Sequence, residues 1–312
     1  MINKHLLEAT LIHCNFQGVF TLMSLLAIYS IQLIHGLVYG MLLFLVASGF
    51  TLVLGMMNVL NLAHPAFYML GAYIAYIFLK TGISFWCALG AAPIVIGLLG
   101  ILVEKGLLRR AHRLGHFHEL LLTFGLFYVL TEIARWIWGT TPQTVAAPPI
   151  LQGSLKLFFG ETYPVYRLFI LVVSIIILVG LVIMINKTRV GVLIRASIFD
   201  SEMVNVLGTN VPLLFLLVVG VGSALAAFAG VIAAPFLAVY PSMGLDILMD
   251  CFVVIVMGGF GSIWGALIAA LMIGLVQSFG ILWIPQFTMV LEFGLMATVL
   301  IIKPSGLFGE TG

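Results

Sequence analysis

The chain has 312 residues, 63% of them hydrophobic, and only 24 carry a formal charge, 13 Lys plus Arg and 11 Asp plus Glu. A soluble domain of that length carries about 78. A soluble globular domain, a disordered chain and a coiled coil are therefore excluded, and 33 glycines spread through apolar runs fit a polytopic membrane protein with close helix contacts.

Residues 1–28 read as an N-terminal extension separate from the main domain of 29–309. Val19–Ile34 is apolar but short for a span, and no small-residue cleavage site follows it. Met23 is an alternative start. No Asp, Glu, Lys or Arg lies between Glu8 and Lys80, and further charge-free stretches run over 81–103, 168–186, 203–245 and 251–291. At about 20 residues per crossing, these predict an all-α transmembrane bundle of about nine spans, eight to ten. They lie near 30–57, 63–80, 84–107, 119–138, 165–186, 212–237, 245–258, 262–282 and 287–303.

Basic residues set the orientation, because loops rich in Lys and Arg stay in the cytoplasm. Lys105, Arg109, Arg110 and Arg113 mark one such loop, Lys187, Arg189 and Arg195 a second, and Lys303 the end of the last span. Even numbers of spans separate them, so the three share one side, and the proline-rich loop 139–164 falls outside. This clustering accounts for the net charge of +2 without a nucleic-acid partner. Cys14, Cys87 and Cys251 have no disulfide or metal spacing and read as packing residues. His112, His116 and His118 lie among arginines that oppose a cation, and read as part of a solvated loop.

No phosphate loop, zinc-protease helix or nucleophile elbow is present. The chain therefore reads as a non-enzyme without a cofactor, and any ATP that drives it is bound by another chain. The segment 187–210 interrupts the apolar spans with mixed charge and six aliphatic anchors. It suits docking into a groove on a partner, or lying on the bilayer surface. Gly208 is placed to end a short helix there.

Three other stretches put polar or broken backbone at membrane depth, where it is tolerated only beside protein or a water-filled cavity. NVLNLAHP (58–65) brings Asn61 and His64. MGGFGSIWG (257–265) brings Gly258, Gly259, Gly261 and Ser262. Asp246 and Asp250, four apart, put two carboxylates on one helix face, where charge is costly and usually functional.

In order and spacing, GLVYGMLLFLVASGFTLVLGMMNVLNLAHPAFYMLGAY (36–73), TRVGVLIRA, AAFAGVI, PSMG, MGGFGSIWGA and KPSGLFG resemble the membrane permease of branched-chain amino acid ABC importers. The likeness runs from about Tyr29 to Gly309, and is to the shorter of that family's two paralogous permeases. It implies a multi-pass protein of the bacterial cytoplasmic membrane. It also implies a second permease, two cytoplasmic ATP-binding subunits and an extracytoplasmic substrate-binding protein as partners. At matching positions it implies that Arg189, Gly191, Arg195, Ala196, Asp200 and Gly208 form the ATPase-coupling segment. The sequence departs from the family pattern at Val192, commonly basic, at Phe199, commonly acidic, at Pro65, usually glycine, and at Asp250, usually lysine.

The expected solute is a branched-chain amino acid or a related small solute such as an amide or urea. Asn61, His64, Asp250, Gly258, Gly259, Gly261 and Ser262 are the expected translocation path. The rival reading is an ion-coupled secondary transporter or channel using Asp246, Asp250 or Glu292. A membrane enzyme with His64 as general base lacks a carboxylate partner nearby in sequence.

Overall fold

The computed structural model describes residues 2–57, 60–156 and 162–309, with side chains from Leu26 onward except that of Arg113. Eleven α-helices longer than one turn are present among the described residues: α1 (Ile2–Met57), α2 (His64–Lys80), α3 (Phe85–Val103), α4 (His116–Trp138), α5 (Val165–Lys187), α6 (Arg189–Phe199), α7 (Ser201–Val206), α8 (Val211–Ala233), α9 (Met243–Gly258), α10 (Ile263–Trp283) and α11 (Thr288–Ile302). Two short strands, β1 (Ser154–Lys156) and β2 (Thr162–Pro164), form an antiparallel hairpin. Seven segments are long and apolar enough to cross a membrane: 26–57, 85–111, 116–138, 165–187, 211–233, 263–283 and 285–302. The chain is an all-α polytopic bundle.

Each of the nine expected spans coincides with a helix. The remaining two, α2 and α9, have 17 and 16 residues, about 25 Å of helix at 1.5 Å per residue, somewhat less than a hydrocarbon core of about 30 Å. Both are largely buried within the bundle. The expected boundary at residue 28 falls inside α1, and the reading of the first 22 residues as separate concerns side chains outside the described set.

The centre of the bundle is α1. Six consecutive residues, Leu42 to Ala47, are fully buried on every face, as befits a helix apolar all round. Since lipid tails are as apolar as leucine, no hydrophobic force draws spanning helices together; close packing of small residues does. Gly36 and Gly40 on α1, four apart, meet Ala270 and Gly274 on α10, and a Cβ at Gly40 would lie 2.8 Å from the Ala270 carbonyl oxygen. Farther along α1, Gly49 and Gly222 of α8 face each other, with 2.5 Å from a Gly49 Cβ to the Gly222 oxygen. On its other sides α8 receives Gly71 of α2 at Ala227 and Gly100 of α3 at Ser223.

The lipid-facing sides are apolar: Ile94, Leu98 and Leu102 form a stripe on α3, and Ile176, Val179 and Ile183 one on α5. Of the cysteines described, Cys251 is buried, as expected of a packing residue. Cys87 is exposed on the first turn of α3, because the buried residues there are Phe85 and Ala88.

The two ends of the bundle are built differently. At one, the loop after α4 joins the loop before α9, where Gln143 and Val239 exchange backbone hydrogen bonds of 2.8 Å in both directions; this is the hairpin end. At the other, called the coupling end after the role that the family resemblance implies for 187–210, α6 lies near the reversal between α9 and α10 and the tail 303–309.

Gly274→Leu should force α1 and α10 apart, because the added side chain meets backbone rather than a flexible neighbour. Overpacking of this kind costs about 1–3 kcal/mol or more. The expected outcome is a lowered thermal midpoint in detergent, whereas Gly90→Leu, where a Cβ meets nothing within 4 Å, should leave the midpoint unchanged.

Candidate functional site

A cavity of about 630 Å³ opens toward the hairpin end between α1, α5, α9 and α10. Asp246 and Asp250 both line it, as their spacing of one helical turn predicts. Asp250 is half-buried, and the hydroxyl of Tyr39 on α1 donates to its Oδ2 at 2.6 Å. Asp246 sits at the rim and accepts from the Tyr240 hydroxyl at 2.6 Å. Burial, and then the hydrogen bond to Asp246, push the Tyr240 hydroxyl up to about 12, so it stays a donor at neutral pH.

On the α5 wall, the Arg167 guanidinium contacts His35 Nε2 and lies 5.0 Å from the ring centre of Phe236. The described ion pairs are His112 with Glu104 and Glu119, and Arg135 with Glu132. Arg167, Asp246 and Asp250 take part in none of them.

Sequence reading found the two aspartates but not Tyr39, His35 or Arg167. The missed signal was a guanidinium within the first turn of an otherwise apolar span, a position where a cation usually has a task.

At the coupling end, a second cavity of about 680 Å³ is lined by Thr51, Asn186, Arg195, Phe199, Gly261 and Ser262, among others. Gly259 and Gly261 hold φ of +96° and +77° in the reversal from α9 to α10, a backbone that favours glycine. Ser262 caps α10 by accepting from Gly265 N at 3.1 Å. The tail is stitched to this reversal: Leu307 N donates to Met257 O at 2.8 Å and Phe308 N to Gly258 O at 3.0 Å. A Cβ at Gly259 would lie 2.5 Å from Gly309 N.

The segment 187–210 forms two helices. Thr188 caps α6 at Gly191 N, and Asp200 caps α7 at Met203 N, 2.9 Å. Gly208 follows α7 with φ +88° and its N–H bonded to Asn205 O, as its placement predicted. Gly191 packs against the backbone of Ile185, and Arg195 Nη1 donates to the Ile185 carbonyl. Ala196 is half-buried, and Ile194 and Val204 turn inward. Gly191, Arg195 and Asp200 thus shape the segment from within. Its outer face carries Arg189 with Val192, Phe199, Met203, Val206 and Leu207, of which Phe199, Val206 and Leu207, at or just past helix ends, are the most exposed.

Asn61 and His64 occupy a third place. The Asn61 Oδ1 accepts from Ala63 N at 3.1 Å in the turn before α2, and Pro65 fits the first turn, where an N–H is not needed. His64 is fully buried, stacked on Phe50 at 5.3 Å and edge-on to Phe67. Neither ring nitrogen has a hydrogen-bond partner among the described residues. The seven expected path residues are therefore distributed: Asp250 in the hairpin-end cavity, Gly261 and Ser262 in the coupling-end cavity, Gly258 and Gly259 behind it, and Asn61 and His64 between helices. Glu292 is buried on α11.

The histidine loop differs from expectation. His116 and His118 are exposed, but His112 is drawn inward, its Nδ1 2.6 Å from Glu119 Oε1 and its Nε2 3.3 Å from Glu104 Oε1. Both carboxylates are 3% exposed. A π-type turn over Glu104–Leu108 extends α3 and turns Glu104 toward the ring. Both buried carboxylates approach the one imidazole, so His112 is a clasp between α3 and α4 and not a solvated residue. Burial alone would lower its pKa, but hydrogen bonding and charge from Glu104 and Glu119 outweigh it and raise the value to about 9.

A family model for the permease component of branched-chain amino acid transport systems matches residues 32–300. The chain belongs to that family. The permease is 30% identical to the high-affinity branched-chain amino acid permease protein BraD of Pseudomonas aeruginosa, over 90% of this chain and 96% of that one. It is 27% identical to LivH of Escherichia coli K12 over 89% and 95% of the two chains. It is also 27% identical to a probable LivH of Methanocaldococcus jannaschii, over 88% and 90%. A solved structure of PsaBC from Streptococcus pneumoniae in complex with Fab shares the fold, with TM-score 0.50 and 10% identity over 88% of this permease and 92% of that chain.

Since His112 has a folded-state pKa of about 9 against 6.5 unfolded, its protonation stabilises the folded permease fully below pH 6.5. That contribution is lost as pH rises through 9. His112→Gln should therefore lower stability by about 2 kcal/mol at pH 6. Thermal midpoints in detergent across pH 6 to 10 should show the gap between wild type and variant closing above pH 9.

Proposed function

We propose that the permease is the membrane-spanning half of an ATP-driven importer of branched-chain amino acids or closely related small solutes in a bacterial cytoplasmic membrane. Its solute enters at the hairpin end, and its power stroke arrives at the coupling end. The observation that carries this is the pairing of a charged, half-buried cavity at one end with an apolar docking face at the other. Phe199, Val206 and Leu207 are 77–80% exposed on short helices after α5, beside the basic residues that the positive-inside rule keeps in the cytoplasm.

On this reading two cytoplasmic ATPases grip that face, a longer paralogous permease completes the transmembrane unit, and an extracytoplasmic binding protein delivers the solute at 139–164. Arg189 and Gly208 lie at the contact, while Gly191, Arg195, Ala196 and Asp200 hold α6 and α7 so that a push on them moves the bundle as a rigid body. The tail and the glycines at 258, 259 and 261 brace the coupling-end cavity, and Asn61 and His64 sit where α1, α2 and α8 move against one another. ATP hydrolysis belongs to the partners.

Uptake of labelled leucine into vesicles holding this permease with its ATPase subunits should require ATP and persist when ion gradients are collapsed. Dependence on a proton or sodium gradient without ATP would instead assign Asp246, Asp250 or Glu292 to ion coupling. Arg195→Glu should reduce uptake at least roughly tenfold while the chain still inserts, since losing a charged hydrogen bond costs about 1.5–3 kcal/mol.

In a Cys87→Ser background, a cysteine at Ser154 should be modified by an impermeant reagent from outside, and one at Asn205 only after the membrane is opened. Both positions are exposed, whereas Ser197 is buried and would be spared for that reason alone.

A further inference from the structure

Asp250 and Arg167 line the same cavity from different helices, yet neither forms an ion pair among the described residues. Among the described residues Asp250 accepts from the Tyr39 hydroxyl at Oδ2 and has no cation beside it, and Arg167 contacts His35 and lies near the rings of Tyr163 and Phe236. A guanidinium offers five N–H donors in a planar fork suited to carboxylate, and most of these remain for something else. Two opposite charges held apart inside a membrane protein are costly unless a third body satisfies both.

The rest of the cavity narrows that body. Phe236, Leu237, Met243, Ile247 and Ile281 line the same cavity and suit an apolar side chain. Asp246, the second carboxylate, is exposed at the rim and already accepts from Tyr240, so water screens it and it does not demand a second cation from the ligand.

We infer that this cavity is a solute-binding site of the permease itself, in which Asp250 receives an ammonium group and Arg167 a carboxylate of a zwitterion with an apolar side chain. Tyr39 positions the Asp250 carboxylate and His35 the guanidinium. The inference rests on the importer reading for the direction of solute flow, but not for the binding chemistry. It separates the amino acids from the amides and urea that the sequence leaves open, and it gives the carboxylate at position 250 a task.

The test is equilibrium binding to the full chain in lipid nanodiscs, with four probes: leucine, leucinamide with the ammonium alone, 4-methylpentanoate with the carboxylate alone, and urea with neither. Wild type should bind leucine most tightly and urea least. Asp250→Asn should weaken leucine and leucinamide by roughly tenfold or more, the loss of one charge-assisted contact, and leave 4-methylpentanoate unchanged. Arg167→Gln should do the reverse, weakening leucine and 4-methylpentanoate and sparing leucinamide.

Equal losses for all probes in both variants, or no losses, would overturn the assignment. The wild-type ranking needs no variant to fold, and a flat ranking or an absence of binding would overturn it as well. Charge-selective binding in a protein whose uptake ignores ATP would retain this site while removing the importer reading; ATP-driven uptake with a flat ranking would do the opposite.

Discussion

Everything in this permease depends on how closely α1 can approach α10 and α8. In a bilayer the apolar side chains gain nothing by leaving lipid for protein, so helices associate where backbones can touch and dispersion contacts accumulate. Glycines on α1 make both approaches, at Gly36 and Gly40 toward α10 and at Gly49 toward α8. The same helix carries His35 and Tyr39 into the hairpin-end cavity and Thr51 into the coupling-end cavity. One helix thus links the two ends, and its backbone contacts determine where the polar groups of each cavity stand.

Several polar groups at membrane depth are each held by a particular device. Asp250 has a tyrosine hydroxyl, Arg167 a histidine and aromatic faces, and the Glu104–Glu119 pair a histidine clasp. Asn61 serves the turn into α2, and His64 is stacked between aromatic rings. The clasp joins α3 to α4 at the end that carries the basic loop. It ties the outer helices to the core there with charge, where elsewhere α3 is held by glycine contacts to α8.

The coupling end combines rigidity with an open apolar face. Three side-chain caps, from Thr188, Asp200 and Asn210, set the starts of α6, α7 and α8 in succession. Each cap satisfies backbone N–H groups that a helix start leaves without intrahelical partners. The departures from the family pattern at Val192 and Phe199 both fall on exposed positions. They make this exposed face more apolar, and the contacts of Gly191, Arg195 and Asp200 that hold α6 and α7 do not depend on them.

By itself the sequence determined the membrane setting, the approximate position of the apolar helices and the break at 257–265. These follow from local quantities: the length of charge-free runs and the position of Gly and Pro. It also placed Asp246 and Asp250 on one face, because four residues make one helical turn. What the tertiary structure decided was every partnership across helices. Tyr39 lies 211 positions from Asp250 and Arg167 lies 132 from His35, and helix period carries no information about which helices become neighbours. The same limit turned His112 from an expected solvated residue into a buried clasp, since its two carboxylates sit on separate helices and only their packing brings both to one imidazole.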